Sequence, residues 1–309
     1  MAIDLCLTTK CNNNCLMCSN PDCDWPAYDG SYDYSFEAII KRLEKKRNEI
    51  SASESIYITG GEPTTHSRFL DILTYLQENF PEQKKKLLTN GRRFFYPEFA
   101  KQVLDRVDNL EVEFSLYGPN SEIHDAVTRS RGSFDQTLQG GKNLLKSSHN
   151  KCQISVRFVL TGLSYKYIRD TLQIIRDNLG EAQSVMIIFM EFEGKALKNL
   201  DRVKINYGEV APYLDRAKKV FNDLREVRLY HFPLCQVDSE LWPYCWNTWP
   251  PEEITYLDRC EECIYKKHCV GIHKNYLEYV GSKEFRPIKK DIAVTETGNK
   301  FHPISQVKK

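Results

Sequence analysis

Three cysteines, Cys11, Cys15 and Cys18, stand in a C-x3-C-x2-C array within the stretch "LTTKCNNNCLMCSNPDCDWP". Three thiolates on one short loop suit a soft metal centre. A structural zinc site takes four ligands, and Cys23 is at hand as a fourth. A [4Fe–4S] cube held by three cysteines leaves one iron without a protein ligand, open to a substrate or cofactor. A second stretch, "ITGGEPTTH" at 58–66, puts Gly60, Gly61, Glu62 and Pro63 after an apolar run. Paired glycines let a ligand approach the backbone closely, and carbonyls or the Glu62 carboxylate can accept hydrogen bonds from a ligand amine. A plain strand-to-helix turn would use the same residues. The cysteine array one strand earlier favours a ligand site, and with it a cluster over zinc.

A second cysteine group lies far along the chain. Cys260, Cys263 and Cys269 form C-x2-C-x5-C, and Cys235 in "FPLC" is the natural fourth ligand. Four thiolates can hold an auxiliary iron–sulfur cluster or a structural zinc. Spacing does not separate the two, while the first cysteine group favours iron–sulfur. Cys245 in "WPYCW" is a fifth: an alternative ligand, a substrate-facing thiol or, by default, a buried structural cysteine.

The elements that must position these groups follow from periodicity. Runs rich in Ile, Val and Phe at 3–8, 55–59, 85–90, 110–116, 152–160 and 184–192 predict six strands. Helical patterns separate them at 35–50, 68–79, 96–106, 121–147 and 165–179. Such alternation predicts parallel βαβ units in an α/β fold. Six units are too few for a closed eight-fold barrel and fit a partial (β/α)6 TIM-like barrel, with function at the C-terminal strand ends. Beyond residue 195 a helix near 208–223 is expected. The stretch 230–285 is rich in Cys, Trp, Pro and Tyr and reads as a small domain organised around a metal. The expected division is a barrel over 1–195, a Cys-rich auxiliary domain over 196–285 and a polar, partly disordered tail over 286–309.

The 309 residues suffice for one large domain plus an appendage, and a 41% hydrophobic share supports an ordinary core. The 43 basic residues balance 42 acidic ones, which gives no electrostatic case for nucleic acid as the main partner. No run approaches the roughly 18 apolar residues of a membrane span, and the first ten residues do not resemble a signal peptide. A cytoplasmic location is therefore expected, with the eleven cysteines serving as ligands rather than disulfides.

With its paired motifs, the chain resembles the radical S-adenosylmethionine (SAM) enzymes over residues 1–195. The resemblance implies that Cys11, Cys15 and Cys18 bind a [4Fe–4S] cluster whose free iron chelates the SAM amino and carboxylate groups. One electron then cleaves SAM to methionine and a 5′-deoxyadenosyl radical, which abstracts hydrogen from a substrate. Residues 60–63 match the family's GGEP motif for the SAM amine. Met17 stands where the family usually has an aromatic residue, and still offers apolar cover near the adenine. Ser115 in "FSLYG" matches a SAM ribose or carboxylate contact, although Tyr117 replaces the acid common two residues later. Arg157 in "SVRFVL" matches an arginine that meets the SAM carboxylate, a pairing suited to the guanidinium fork; a strand-face ion pair is the alternative. Asn90 is a polar contact or a turn residue. Met186 and Ile188 pack against adenine or belong to the core.

The C-terminal cysteines resemble the SPASM or twitch domains of radical SAM enzymes that modify ribosomally made peptides. A nearer likeness is to the His-Xaa-Ser system peptide maturases, carried by "CNNNCLMCSNP", "RGSFDQTLQGGKNL", "ISVRFVLTG", "FPLC…LWPYC" and "CEECIYKKHCVGI…FRPI". Cys245 and the short N-terminus depart from that family. Because the barrel starts at once, no N-terminal leader-recognition domain is expected. A peptide would be held by the barrel mouth, the C-terminal domain or a separate peptide-recognition protein. The implied partners are a peptide substrate and an electron donor such as flavodoxin or ferredoxin. Trp25, Tyr28, Tyr32 and Tyr34, with Trp242, Trp246 and Trp249, suit either an open mouth or core packing. His66, His124, His231, His268 and His273 are scattered and read as structural. A radical SAM enzyme of small-molecule or cofactor biosynthesis is the alternative function. A non-catalytic metal scaffold is more remote, since it has no need of an amine-binding glycine turn.

Overall fold

The structure, a computed structural model, describes residues 2–19, 33–148 and 152–308. Cys23, Trp25, Tyr28 and Tyr32 lie outside them. The six expected strands form as β1 (Ala2–Cys6), β2 (Ser55–Thr59), β3 (Lys84–Thr89), β4 (Leu110–Ser115), β5 (Cys152–Leu160) and β6 (Ser184–Phe189). Each pairs in parallel with the next in chain order. Every residue of β6 is buried, as expected of a strand covered on both faces. Helices Phe36–Lys45, Phe69–Asn79, Pro97–Leu104, Ser121–Thr128, Ser133–Ser148 and Ile168–Leu179 occupy the predicted intervals.

Two further strands extend the sheet past the expected sixth. They are β7 (Val227–Tyr230) and β8 (Cys245–Trp246), both parallel. Among the described residues the sheet therefore has eight strands in the order β1 to β8, with β1 and β8 at its ends, a partial barrel rather than a closed one. The helix Tyr207–Phe221 leads into β7 and starts at a capping box between Asn206 and Glu209.

The Cys-rich region is less independent than a metal-organised appendage would be. Short strands β9 (Ile254–Thr255) and β10 (Ile272–His273) pair antiparallel. Tyr276 and Phe285 join a ring cluster with Phe189 and Tyr207, whose centroids lie 4.0 Å apart. One apolar core thus runs from Leu5 on β1 to Ile304. The expected disorder of the tail is corrected: β11 (Val294–Glu296) and β12 (Ile304–Val307) form a hairpin. Asn247 N–H donates to the Phe301 carbonyl at 2.7 Å and His302 Nε2 to the Pro243 carbonyl at 2.7 Å, fastening the hairpin beside β8. Polar composition hid this because the segment is held by backbone pairing more than by apolar burial. Among the described residues no helix is long and apolar enough to cross a membrane.

Candidate active site

The C-terminal ends of the strands open onto a cavity of about 270 Å³. Cys11, Cys15 and Cys18 line it from the loop after β1, and Gly60, Gly61 and Glu62 from the turn after β2. The two segments are hydrogen-bonded together. Gly61 N–H donates to the Thr8 carbonyl at 2.7 Å and Glu62 N–H to the Lys10 carbonyl at 2.8 Å. This close approach accounts for the glycines. A Cβ at Gly61 would lie 2.4 Å from the Lys10 oxygen, and one at Gly60, where φ is +143°, 2.4 Å from the Thr8 oxygen. The cysteine loop is also held from the other side: Asn14 N–H donates to the Thr128 carbonyl at 2.9 Å and Leu16 N–H to Val127 at 3.0 Å.

Glu62 turns away from the role of ligand acceptor. Its carboxylate takes the Thr64 hydroxyl at 2.6 Å, the Thr64 N–H at 3.2 Å, the Thr89 hydroxyl at 2.7 Å and the Asn90 N–H at 2.6 Å. Burial pushes this carboxyl above its ordinary value, against those four donors. The side chain therefore ties the end of β3 to the glycine turn. Asn90 serves as both turn residue and polar contact. Its Oδ1 accepts from Arg92 N–H at 3.0 Å, while its Nδ2 donates to Asn12 Oδ1 at 2.6 Å and lies 3.9 Å from Cys11 Sγ.

Ser115, Tyr117, Met17 and Ile188 also line the cavity. Arg157 lines it as well and is at once an ion pair, Nη1 donating to Glu113 Oε2 at 2.7 Å. Met186 and Pro63 lie outside the lining. Met186, 1% exposed, sits two residues before Ile188 on the same face of β6, one step deeper in the barrel. Pro63 is buried at the first position of a short 3-10 turn. Glu113, Glu191 and His231 are cavity residues that sequence reasoning missed. Glu191 and His231 follow the ends of β6 and β7, and β7, four residues long, is too short to signal itself.

The donor set fits an iron–sulfur group. Burial pushes the Cys11 thiol up to about 11, and raises Cys15 further, with repulsion from Cys18 and Cys11 adding to it. Thiols so placed resist ionising alone, and bound iron would offset that cost. Asn13 Nδ2, buried against the same cavity, has no hydrogen-bond partner among the described residues.

The second cysteine group closes on a smaller cavity, about 20 Å³, lined by Cys235, Cys260, Cys263 and Cys269 with Tyr256, Tyr265, Ile272 and Phe285. Burial raises the Cys235 thiol and pushes Cys269 up to about 12. Ile288 N–H donates to Cys263 Sγ at 3.4 Å and Gln236 Nε2 to Cys235 Sγ at 3.3 Å. All four thiols thus share one cavity. Cys245 lies outside this lining, buried on β8 with its thiol 3.5 Å from the Leu241 carbonyl. Of the aromatic residues expected at a mouth, Tyr34 is 9% and Trp242 2% exposed, both in the core. Trp246 stacks on His302, and Trp249 stacks on the cavity residue His231.

The family model of the radical SAM superfamily matches residues 5–175. Mycofactocin maturase MftC of Mycolicibacterium smegmatis is 32% identical over 152 residues, 48% of this chain and 36% of that protein. The antilisterial bacteriocin subtilosin biosynthesis protein AlbA of Bacillus subtilis is 29% identical over 176 residues, 55% of this chain and 36% of that protein. The chain thus spans little more than a third of the length of these curated relatives. Among solved structures, Streptococcus suis SuiB bound to S-adenosylmethionine is similar in fold, with a TM-score of 0.55 at 15% identity, covering 74% of this chain and 49% of that one. The fold of anSMEcpe with bound AdoMet is similar too, with a TM-score of 0.56 at 18% identity, covering 74% and 61%.

Proposed function

The chain belongs to the radical SAM superfamily, and we propose that it cleaves SAM reductively at the Cys11–Cys15–Cys18 loop and abstracts hydrogen from a peptide, the first step toward a cross-link or an epimer. The observation that carries this reading is the pairing of the cysteine loop with the glycine turn through Gly61 and Glu62 N–H groups, both facing one cavity. When bound, the [4Fe–4S] cluster and SAM supply the electron and the radical chemistry. The chain's own residues hold and orient them. Cys11, Cys15 and Cys18 are the cluster ligands. The carbonyls of Gly60 and Gly61 take the SAM amine, with Glu62, Pro63 and Asn90 fixing the turn. Ser115 and Arg157 meet the ribose and carboxylate, and Met17 and Ile188 cover the adenine, with Met186 packed beneath.

Cys235, Cys260, Cys263 and Cys269 hold an auxiliary [4Fe–4S] cluster in this reading. The four thiols line one cavity, and the first cysteine group in the same chain favours iron–sulfur there over zinc. The barrel, built from residues 1–195 and extended by β7 and β8, carries the SAM chemistry, and the four cysteines within 196–285 the auxiliary cluster. A peptide substrate is supported by relatives named as a maturase and a bacteriocin biosynthesis protein. A reduced flavodoxin or ferredoxin in the cytoplasm supplies the electron, and a separate protein can present the peptide.

The test is anaerobic reconstitution followed by metal and product analysis. About eight irons per chain are expected if both groups hold cubes, with 5′-deoxyadenosine formed from SAM under reduction. Replacing Cys11, Cys15 and Cys18 together by Ala should remove about half the iron and all SAM cleavage. Deoxyadenosine from that variant would overturn the assignment. Co-expression with short peptides encoded beside the gene, read by mass spectrometry for lost hydrogens or solvent deuterium, tests the substrate class.

A further inference from the structure

At the barrel mouth, between the two cysteine groups, lies a cluster that the SAM chemistry does not use. Glu191 and His231 line the large cavity. His273 directly follows Ile272, which lines the four-cysteine cavity. Trp249 stands between the two imidazoles, its ring centroid 4.2 Å from that of His231 and 5.1 Å from that of His273, and its Nε1 donates to Glu191 Oε1 at 3.2 Å. Glu193 and Glu253 close the far side, 3.5 Å and 3.9 Å from His273 Nε2. We propose that Glu191, Glu193 and Glu253, gathered with His231 and His273 around Trp249, form a subsite for a cationic group of the substrate, an ammonium or a guanidinium. This rests on the reading of the large cavity as the SAM site.

Three observations carry it. First, His231 presents a lone pair to a carboxylate. Its Nδ1 lies 3.1 Å from the Phe189 carbonyl, which can only accept, so Nδ1 carries the proton of the neutral ring. Nε2 then faces Glu191 Oε1 across 3.7 Å, two acceptors with no donor between them. A hydrogen-bond donor bearing positive charge is what that gap lacks. Second, His273 is 4% exposed and, among the described residues, neither ring nitrogen has a hydrogen-bond partner, although Nε2 faces the Glu193 and Glu253 carboxylates. A buried polar group left so is costly.

Third, the nearby cations are engaged elsewhere. Arg157 is held by Glu113 at 2.7 Å, Lys195 Nζ by Asn14 Oδ1 at 3.0 Å, and Lys274 Nζ by the Glu252 carbonyl at 2.6 Å. Among the described residues, no Lys or Arg pairs with Glu191, Glu193 or Glu253. The histidines do not supply the charge, since burial pushes His231 down to about 4 and lowers His273 as well. Burial and the neighbouring carboxylates Glu191 and Glu193 push Glu253 up. His231 itself is held at φ +71°, a conformation that a non-glycine residue adopts at a cost and that places its ring at the mouth.

The experiment measures binding of short amides to the cluster-loaded, SAM-saturated protein by calorimetry at neutral pH. The probes are acetyl-Gly-Lys-Gly amide, its arginine and norleucine counterparts, and Gly-norleucine-Gly amide with a free amino terminus. The lysine or arginine peptide should bind about 10-fold tighter than acetylated norleucine, the scale of a charge-assisted hydrogen bond. Tighter binding of the free-amine peptide alone would identify a substrate amino terminus as the cation. In Glu191→Gln/Glu253→Gln the preference should fall below about 2-fold, with iron content and circular dichroism as fold controls. Should that double variant fail to load iron, Glu193→Gln alone should lower the preference by about 3-fold or more. The exposed Glu98→Gln on helix Pro97–Leu104 should keep it. Equal binding of all four peptides by the wild-type protein, or a preference that survives the Glu variants, overturns the subsite. Deoxyadenosine formation is scored separately: SAM cleavage without cation preference sinks the subsite alone, whereas no SAM cleavage sinks the proposed function.

Discussion

The two cysteine groups are built on opposite plans. Cys11, Cys15 and Cys18 come from one loop and open onto a roomy cavity that also holds Glu62, Asn90, Glu113 and Arg157. Cys260, Cys263 and Cys269 come from one segment and Cys235 from another, and together they close on a small cavity walled by Tyr256, Tyr265, Ile272 and Phe285. Three thiols beside polar groups leave room for a large, charged ligand to share the metal. Four thiols in an apolar wall leave none, and suit a group that only stores or passes electrons, or braces the fold. On the proposed reading, the site that reacts is the one with fewer protein ligands.

The sharpest way to break this comparison is Cys263→Ala. The second group should be dispensable for SAM cleavage and required for turnover. Deoxyadenosine should still form while modified peptide falls to background, measured side by side in one reaction. Zinc in place of iron at that site would leave it a structural role only. The shared ring cluster of Phe189, Tyr207, Tyr276 and Phe285 leads us to expect that the far-ultraviolet circular dichroism of this variant stays close to wild type.

Next in size is Gly61→Ala. The new Cβ would meet the Lys10 and Thr9 carbonyl oxygens at 2.4 Å and 2.6 Å, backbone atoms that cannot swing aside. The cysteine loop must back away, at a cost of about 2 kcal/mol or more. Iron should fall to about half as the first group is lost, while the second stays loaded. Full iron retention would show that the loop tolerates the displacement.

Most of the barrel was legible in the sequence because its strands are long apolar runs between amphipathic helices, as at 55–59 and 152–160. What escaped was short or held by backbone pairing. β7 has four residues and β8 two, and the β11–β12 hairpin is polar in composition. At the site, the cysteine array and the glycine turn were legible because few other functions need them together. The work of Glu62 was not, since nothing in "GGEP" says that Thr89 and the Asn90 N–H, far along the chain, would occupy its oxygens. Nor were Glu191 and His231, whose roles depend on which strand ends neighbour the cavity. Histidines that looked alike in the sequence therefore divide: His124 is 0% exposed in the core, and His231 faces the cavity.

Arg157→Lys probes the open site at a single contact. Lysine keeps the charge beside Glu113 and loses the fork. SAM affinity should fall by roughly 1–3 kcal/mol with both iron groups intact. Unchanged affinity in calorimetry would leave Arg157 only its ion pair with Glu113.

The last effect expected is a pH dependence centred on the first site. Burial pushes His124 down to about 4, and its Nδ1 accepts from Tyr117 N–H at 3.0 Å, so the folded chain holds the ring neutral. An unfolded histidine takes up a proton near pH 6.5. Between those values the unfolded state binds more protons, so the stability this ring contributes is full above about 6.5 and is lost as pH falls toward 4. The slope approaches about 1.4 kcal/mol per pH unit for one proton. The helix carrying His124, Ser121–Thr128, supplies the Val127 and Thr128 carbonyls that hold Leu16 and Asn14 in the cysteine loop. Hydrogen exchange at the Asn14 and Leu16 amides, corrected for its intrinsic pH dependence, should therefore quicken on acidification through this window. Amides such as Ile288, which holds Cys263 in the second group, should change less. In His124→Gln, which keeps an acceptor for Tyr117 without the titration, the difference between the two sites should disappear. An equal quickening at both, unchanged by that substitution, would mean that acid loosens the fold as a whole.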